Sequence, residues 1–500
     1  MSHDELPSLR LPKIRTLAGP IAAKDLDAAT HAALIAAAGS PLKALPYGEA
    51  VEARMHRAGY KLGESKPFIT DLPNPRGTRL AIAGLKSGTN AFERLTLARR
   101  LIGTLMEQRP PRLVLAAVGL DAAGSAGALE ALLSAALAAD FALPDFKSGK
   151  EKQRAVEEIT VHGHLPEALL APAIAGARGN NLARYLTALP PNELTPGTYR
   201  RRVERLAKAN RWQTEFLDLK KLRRLGAGAF AAVAQGSPEE DAGILHLRYT
   251  PRKKSKAAAV ALVGKGICFD TGGTNLKSAK HMHGMHEDMQ GSAVALGTLL
   301  ALTELQTDFP VDCWLALAQN HIGPKAYRQN EVVRAANGTT IEIVHTDAEG
   351  RMVLADTLHL AARDKPKLMI DYATLTGACI GALGTRMSGV LTNRAPWVTT
   401  LIRAGEESGE RVWPFPLPED YDDLLKSDIA DIKQCTVESE ADQILAALFL
   451  RRFVPKDMPW VHVDLASGNN KGGLAHIPSD VTGFGVRFTL NLLLAQSLRT

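Results

Sequence analysis

The chain has 500 residues, 45% of them apolar and 23% charged, with a formal net charge of +7. That is the balance of a soluble globular protein long enough for a large core and more than one domain. The four cysteines, Cys268, Cys313, Cys379 and Cys435, form no CxxC pair. They argue against a zinc ribbon or a disulfide framework and for a reducing compartment. The N-terminus lacks an apolar signal core, and no run of ~18 apolar residues is visible, so the expectation is a cytoplasmic protein with no membrane span. Basic clusters at Arg200–Arg205, Lys220–Arg224 and Pro251–Lys256 read as solvated faces; a nucleic-acid surface is the lesser reading.

In chain order, "LDAATHAALIAAAG" reads as a helix and "TRLAIAGL" as a buried strand. "AFERLTLARRLIGTLMEQ" has the pattern of an amphipathic helix. "RLVLAAVG" is a strand, "GALEALLSAALAADF" a helix and "QRAVEEITVHG" a strand. This alternation predicts a small α/β domain over residues 1–178. It contains no phosphate-binding loop and no GxGxxG. A long helix, Pro166–Leu189, stops at "PPNELTPG", because proline lacks an N–H and restricts the residue before it. Residues 179–196 are expected to link the domain to a larger one over 197–500. There, "AAAVALVGKG", "VDCWLALAQN" and "KLMIDYATLTG" read as strands, with "GSAVALGTLLALTEL" and "RMVLADTLHLAARD" as helices between them. The fold class is therefore α/β in two domains, the second built on a mostly parallel sheet flanked by helices.

Ligands on such sheets sit beyond the carboxyl ends of the strands. One such loop, "GKGICFDTGGTNLK", carries Lys265, Asp270 and Lys277, and Asp288 follows. A second, "HTDAEGRM" after "TIEIV", carries Asp347, Glu349 and Arg351; in an extended segment those three point to one side. Four carboxylates in one place raise one another's pKa and do not all stay ionised unaided. Two divalent cations balance them, charge for charge, which outlines a dinuclear hydrolase.

These segments resemble the leucyl aminopeptidase (cytosol aminopeptidase) family. "HTDAEGRM" is similar to the family's N-T-D-A-E-G-R-L, "DYATLTGA" to its D-L-A-T-L-T-G-A, and "VGKGICFDTGGTNLK" to its first metal segment. "GAGAFAAVAQGS", "LPPNELTP" and "TGFGVR" are weaker echoes, and the resemblance covers about residues 180–500. It implies a metallo-aminopeptidase that removes apolar, Leu- or Met-like N-terminal residues from peptides. By the same resemblance Asp270 and Glu349 bridge two metal ions, Lys265 and Asp288 complete one site, and Asp347 the other. The metals are Mn²⁺ or Zn²⁺. Lys277 stabilises the oxyanion, and Arg351, with Gly350 and Leu375, holds a bicarbonate ion that serves as general base. Met285, Thr374, Gly377 and Ala466 match substrate-pocket positions, and the expected assembly is a homohexamer.

Three departures stand out. His345 replaces the usual asparagine before "TDAEGR" and is expected to support the site without ligating metal. "AQN" (Ala318–Asn320) stands where A-E-N is common. The stretch Gln434–Asp442 lacks the glycine-rich run usual before the "AALFL" helix. The histidines of "KHMHGMH", His281, His283 and His286, share neither a helix face nor a strand face and are expected on a loop or rim. The alternatives are a dinuclear hydrolase of phosphate esters, a family member that also binds DNA, and a catalytically inactive relative.

Overall fold

Two large sheets organise the chain in the computed structural model, which describes residues 6–64, 66–149, 155–252, 259–438, 440–496 and 498. The first contains β1 (Lys13–Leu17), β2 (His31–Ala37), β3 (Phe68–Asp71), β4 (Arg79–Leu85), β5 (Arg112–Val118) and β6 (Glu158–His162). Their spatial order is β1-β6-β5-β2-β4-β3, parallel throughout except for β3. Helices Ala91–Met106 and Ala122–Asp140 pack on one face, over Ala33, Ile35, Leu113 and Leu115.

The stretch "LDAATHAALIAAAG" is not one helix. It divides into the end of a short helix, Ala23–Ala28, and the central strand β2. Alanine favours a helix in isolation. Here Ala33 and Ile35 enter one helix-covered core, and Ala32, Leu34 and Ala36 enter the other. Burial on both faces decides for the strand. Helix Ala122–Asp140 also corrects the composition reading: by length and hydropathy it could cross a membrane. Nearly every residue from Ala126 to Ala138 is instead buried inside the protein, as in a core helix.

The second sheet contains β7 (Gln213–Asp218), β8 (Gly243–Tyr249), β9 (Val260–Asp270), β10 (Val311–Asn320), β13 (Leu368–Ala373), β14 (Ser388–Thr392), β15 (Val412–Pro414) and β17 (Trp460–Asp464). β11 (Val332–Arg334), β12 (Thr340–Glu342) and β16 (Ile432–Lys433) form a small separate sheet. The large sheet runs β15-β14-β17-β13-β9-β10-β8-β7, and its centre, β17-β13-β9-β10, is parallel. From β9 the chain crosses first to β10 on one side and later to β13 on the other. This is a topological switch point, where ligands of open α/β sheets bind. Cores lie on both faces. Helix Gln290–Glu304 packs on one, and helices Glu349–Ala362 and Asp442–Arg451 on the other.

The helix Glu167–Thr187 crosses residue 178 without a break. It packs against helix Ala122–Asp140 on one side and Gln290–Glu304 on the other. Arg184 donates to the Ala138 carbonyl (3.1 Å) and to Ser479 Oγ (3.0 Å). Residues 179–187 of the expected linker are thus the second part of a packed helix that lies between the two sheets. Thr195 then caps the following helix, Pro196–Asn210, with proline at its first position.

Candidate active site

The cluster forms at the carboxyl ends of β9, β10 and β13. Lys265 lies midway along β9 and Asp270 ends it. Helix Gln290–Glu304 approaches so closely that a Cβ on Gly291 would stand 2.0 Å from the Tyr372 carbonyl oxygen. That contact brings Asp288, just ahead of the helix, down onto Lys265. Asp347 and Glu349 come from the opposite side. "TIEIV" contributes only to the small sheet through β12, and Glu349 begins a helix. The expected extended segment is therefore a helix start. Glu349 and Arg351 do not share a side: the first reaches Lys265, the second Asp442.

Each lysine spans two acids. Lys265 Nζ lies 2.8 Å from Asp288 Oδ1 and 2.9 Å from Glu349 Oε1, and donates to the Thr374 carbonyl at 2.9 Å. Lys277 Nζ lies 2.8 Å from Asp270 Oδ2 and 2.5 Å from Asp347 Oδ1. Burial alone would lower both ammonium groups; the surrounding carboxylates more than offset it and hold both above the ordinary lysine range. Burial, then the charges of Asp270 and Glu349, push Asp347 up to about 7. Burial likewise raises Asp288, against the pull of Lys265.

The residues present fit divalent cations. One carboxylate oxygen from each of Asp270, Asp347 and Glu349 lies within 4.8 Å of the others. Asp288 Oδ2 and Glu349 Oε2 are buried with no hydrogen-bond partner among the described residues. Orphaned anionic acceptors are costly to bury unless a cation takes them up. Gly350 keeps the cradle open, since a Cβ there would stand 2.7 Å from Lys265 Nζ. A further trio, His246, Asp312 and Asp364, is occupied by Arg248, which donates to both acids.

Of the other expected residues, Thr374 touches this cluster. Thr374 Oγ1 donates to Asp288 Oδ1 at 2.6 Å. Met285 opens a half-buried turn, Met285–Glu287; Gly377 starts the helix Gly377–Leu383; Ala466 is buried just beyond β17. His281 and His283 are exposed and His286 half-buried, and none joins the carboxylate group among the described residues. His345 Nδ1 accepts from the Asp347 amide at 3.2 Å. Burial and the charge of Lys277 hold His345 below the ordinary histidine range.

Several residues that shape the site were not among the expected site residues. Asn320 Nδ2 donates to Asp270 Oδ1 (2.8 Å) and to the Thr346 carbonyl (3.0 Å). Gln434 Oε1 accepts from the Val344 and His345 amides, and its Nε2 donates to the Ala348 carbonyl. Asp464 accepts from the amides of Leu375 (3.1 Å) and Thr376 (3.4 Å) and from Thr376 Oγ1 (2.7 Å). Asn320 at a strand's carboxyl end is the one that position alone could have marked.

The sequence model described as "Cytosol aminopeptidase family, catalytic domain" matches residues 181–490, more than half the chain. The chain belongs to the cytosol aminopeptidase family. Among curated members, a probable cytosol aminopeptidase of Syntrophobacter fumaroxidans is 40% identical over 328 residues, 65% of each chain. One of Stutzerimonas stutzeri is 43% identical over 332 residues, 65% of this chain and 66% of its own. The match to these relatives thus spans about two thirds of their length. Among solved structures, a tomato leucine aminopeptidase mutant superposes with TM-score 0.86 at 26% identity, covering 98% of both chains. The bottromycin maturation enzyme BotP, in complex with Mn, gives 0.81 at 31% identity over 94% of this chain and all of that one. The structural likeness extends to the first sheet, where the sequence carries no family motif.

Proposed function

We propose that the protein is a metallo-aminopeptidase that cleaves the N-terminal peptide bond of peptides with an apolar, Leu- or Met-like first residue. The observation that carries this reading is the lysine-and-carboxylate cluster with two orphaned buried oxygens, in a chain of this family. Asp270 and Glu349 would bridge two cations, Lys265 and Asp288 would complete one site and Asp347 the other. Such ions, when bound, polarise a carbonyl and acidify water. The Mn complex of BotP favours Mn²⁺, with Zn²⁺ as the other candidate. Lys265 would ligate as the neutral amine, since cations on Asp288 and Glu349 remove the charges that keep it protonated. Lys277, at the partly open edge of the cluster, keeps its charge and stabilises the developing oxyanion. Met285, Thr374, Gly377 and Ala466 line the pocket for the first side chain. Assembly as a homohexamer and a cytosolic location complete the proposal.

The bicarbonate that the resemblance places at Gly350, Arg351 and Leu375 fits less well. Both terminal nitrogens of Arg351 already donate within the protein, and the Leu375 amide donates to Asp464. The basic clusters are partly engaged within the protein, while Arg201, Arg205, Lys220, Arg223 and Arg224 are exposed. Arg202 is buried beside Glu193, Arg200 stacks on Phe216, and Lys221 pairs with Glu215. Of the Pro251–Lys256 cluster, residues 253–256 lie outside the described residues.

The test is metal content together with turnover of leucyl p-nitroanilide and p-nitrophenyl phosphate, for wild type and Glu349→Ala. The expected result is two metals and aminopeptidase turnover in wild type, both lost in the variant. A fully active, fully loaded variant, or preference for the phosphate ester, would overturn the reading.

A further inference from the structure

Arg351 is a buried guanidinium at the edge of the metal-ligand cluster, and it is paired inside the chain. Its Nη2 donates to Asp442 Oδ1 at 2.6 Å and its Nη1 to the Gln434 carbonyl at 3.2 Å, while Nε has no hydrogen-bond partner among the described residues. Asp442 is fixed by more than this pair. It is the first residue of helix Asp442–Arg451, where a carboxylate is favoured by the helix dipole. Ala441 ahead of it takes a left-handed conformation, φ 53°, that turns the chain into that helix. Asp442 also belongs to the segment where the glycine-rich run of the family is missing.

We infer that Asp442 stands in for an external anion at Arg351, so that the protein neither binds nor needs bicarbonate. The inference rests on the aminopeptidase reading for its kinetic side and on geometry for its binding side. A planar oxyanion is held best by two parallel N–H groups on an uncompensated guanidinium. Here the guanidinium is neutralised by Asp442, each terminal nitrogen already donates once, and the Leu375 amide is committed to Asp464. Asp442 acts through Arg351 and is therefore a positioning residue, not a catalytic one.

The experiment compares wild type with Asp442→Gly and the near-isosteric Asp442→Asn, all zinc-loaded. Binding of ¹³C-bicarbonate is read from NMR line broadening. Leucyl p-nitroanilide turnover is read in CO₂-depleted buffer with bicarbonate added back. The expected result is no binding and a flat response in wild type. Each variant is expected to gain bicarbonate affinity of about tenfold or more, the scale of one charge-assisted hydrogen bond. Its turnover, low without the ion, rises when the ion is supplied. Equal responses in all three proteins, or none in any, overturn the inference. If wild type cleaves no aminoacyl substrate, the functional reading falls, while the NMR comparison still decides this one.

Discussion

Lys265 lies against Gly350 so closely that a β-carbon there would stand 2.6 Å from its Cε. The glycine of "DAEGR" is thus required by the lysine of "VGKG", 85 residues earlier. Gly350→Ala would push the Lys265 amine out of line with Asp288 and Glu349. Overpacking of this kind costs about 1–3 kcal/mol in stability, but displacement of a ligand by ~1 Å can cost about 100-fold in rate. The variant should fold, lose metal, and show kcat/KM down by about that factor. Metal analysis and steady-state kinetics check this; two retained metals with wild-type kcat/KM would count against the role given to Lys265.

The second prediction concerns pH. In the metal-free protein Asp347 is pushed up to about 7, above its unfolded value near 3.9. An acid whose folded pKa is raised binds more protons folded than unfolded between those values, so stability falls as pH rises across that window and levels off above 7. Asp356 and Glu410, away from the cluster and also near 7, contribute the same trend with or without metal. Cations that displace the proton from Asp347 remove its share. The Tm gap between metal-loaded and metal-free protein should therefore widen from pH 5 to pH 8. A gap independent of pH would show that Asp347 takes no part in holding metal.

What the sequence made legible follows from where the chemistry is local. Lys265, Asp270, Lys277 and Asp288 fall within one strand, its loop and the next helix start, so their spacing alone placed them together. Asp347, Glu349 and Arg351 were legible as a charged triplet but not as a helix start, because the preceding "TIEIV" looks like a long strand and pairs over only three residues. The β2 strand was hidden by alanine, whose helix preference was overridden by burial on both faces. Asp464 was hidden for another reason, and Gln434 and Asp442 showed only as the ends of a segment that departs from the family pattern. All three act through backbone groups and a guanidinium more than 80 positions away, and a single polar residue at that separation leaves no pattern to read.

Asp464 illustrates the consequence. Its carboxylate gathers the amides of Leu375 and Thr376 and the Thr376 hydroxyl, and so fixes the segment whose Thr374 touches both Lys265 and Asp288. Asp464→Asn keeps the shape but removes the charge and one acceptor, so the Thr376 hydroxyl, which also accepts from the Cys379 amide, loses its carboxylate partner. Outer-shell changes of this kind cost about 10–100-fold in metal affinity or activity. We expect kcat/KM to fall within that range with metal binding weakened. Unchanged kinetics alongside a lower Tm would assign Asp464 to stability alone.

Gln434 offers the sharpest separation of loop order from ligand chemistry. It is fully buried and touches no proposed ligand side chain, yet its amide closes the loop that carries Asp347 from both ends. Gln434→Ala leaves two backbone N–H groups and one carbonyl buried without partners, at about 1–3 kcal/mol each where no water enters. The three losses share one loop and will not add fully. A Tm decrease of about 5 °C is the scale for a net ~3 kcal/mol in a domain of this size. Because the Arg351 contact runs through the backbone carbonyl of residue 434, it survives the substitution. Metal affinity should weaken through a looser Asp347. Saturating metal should then restore much of the turnover in Gln434→Ala and none in Glu349→Ala, where the ligand itself is gone. Equal failure of both variants at saturating metal would mean that Gln434 does more than order the loop.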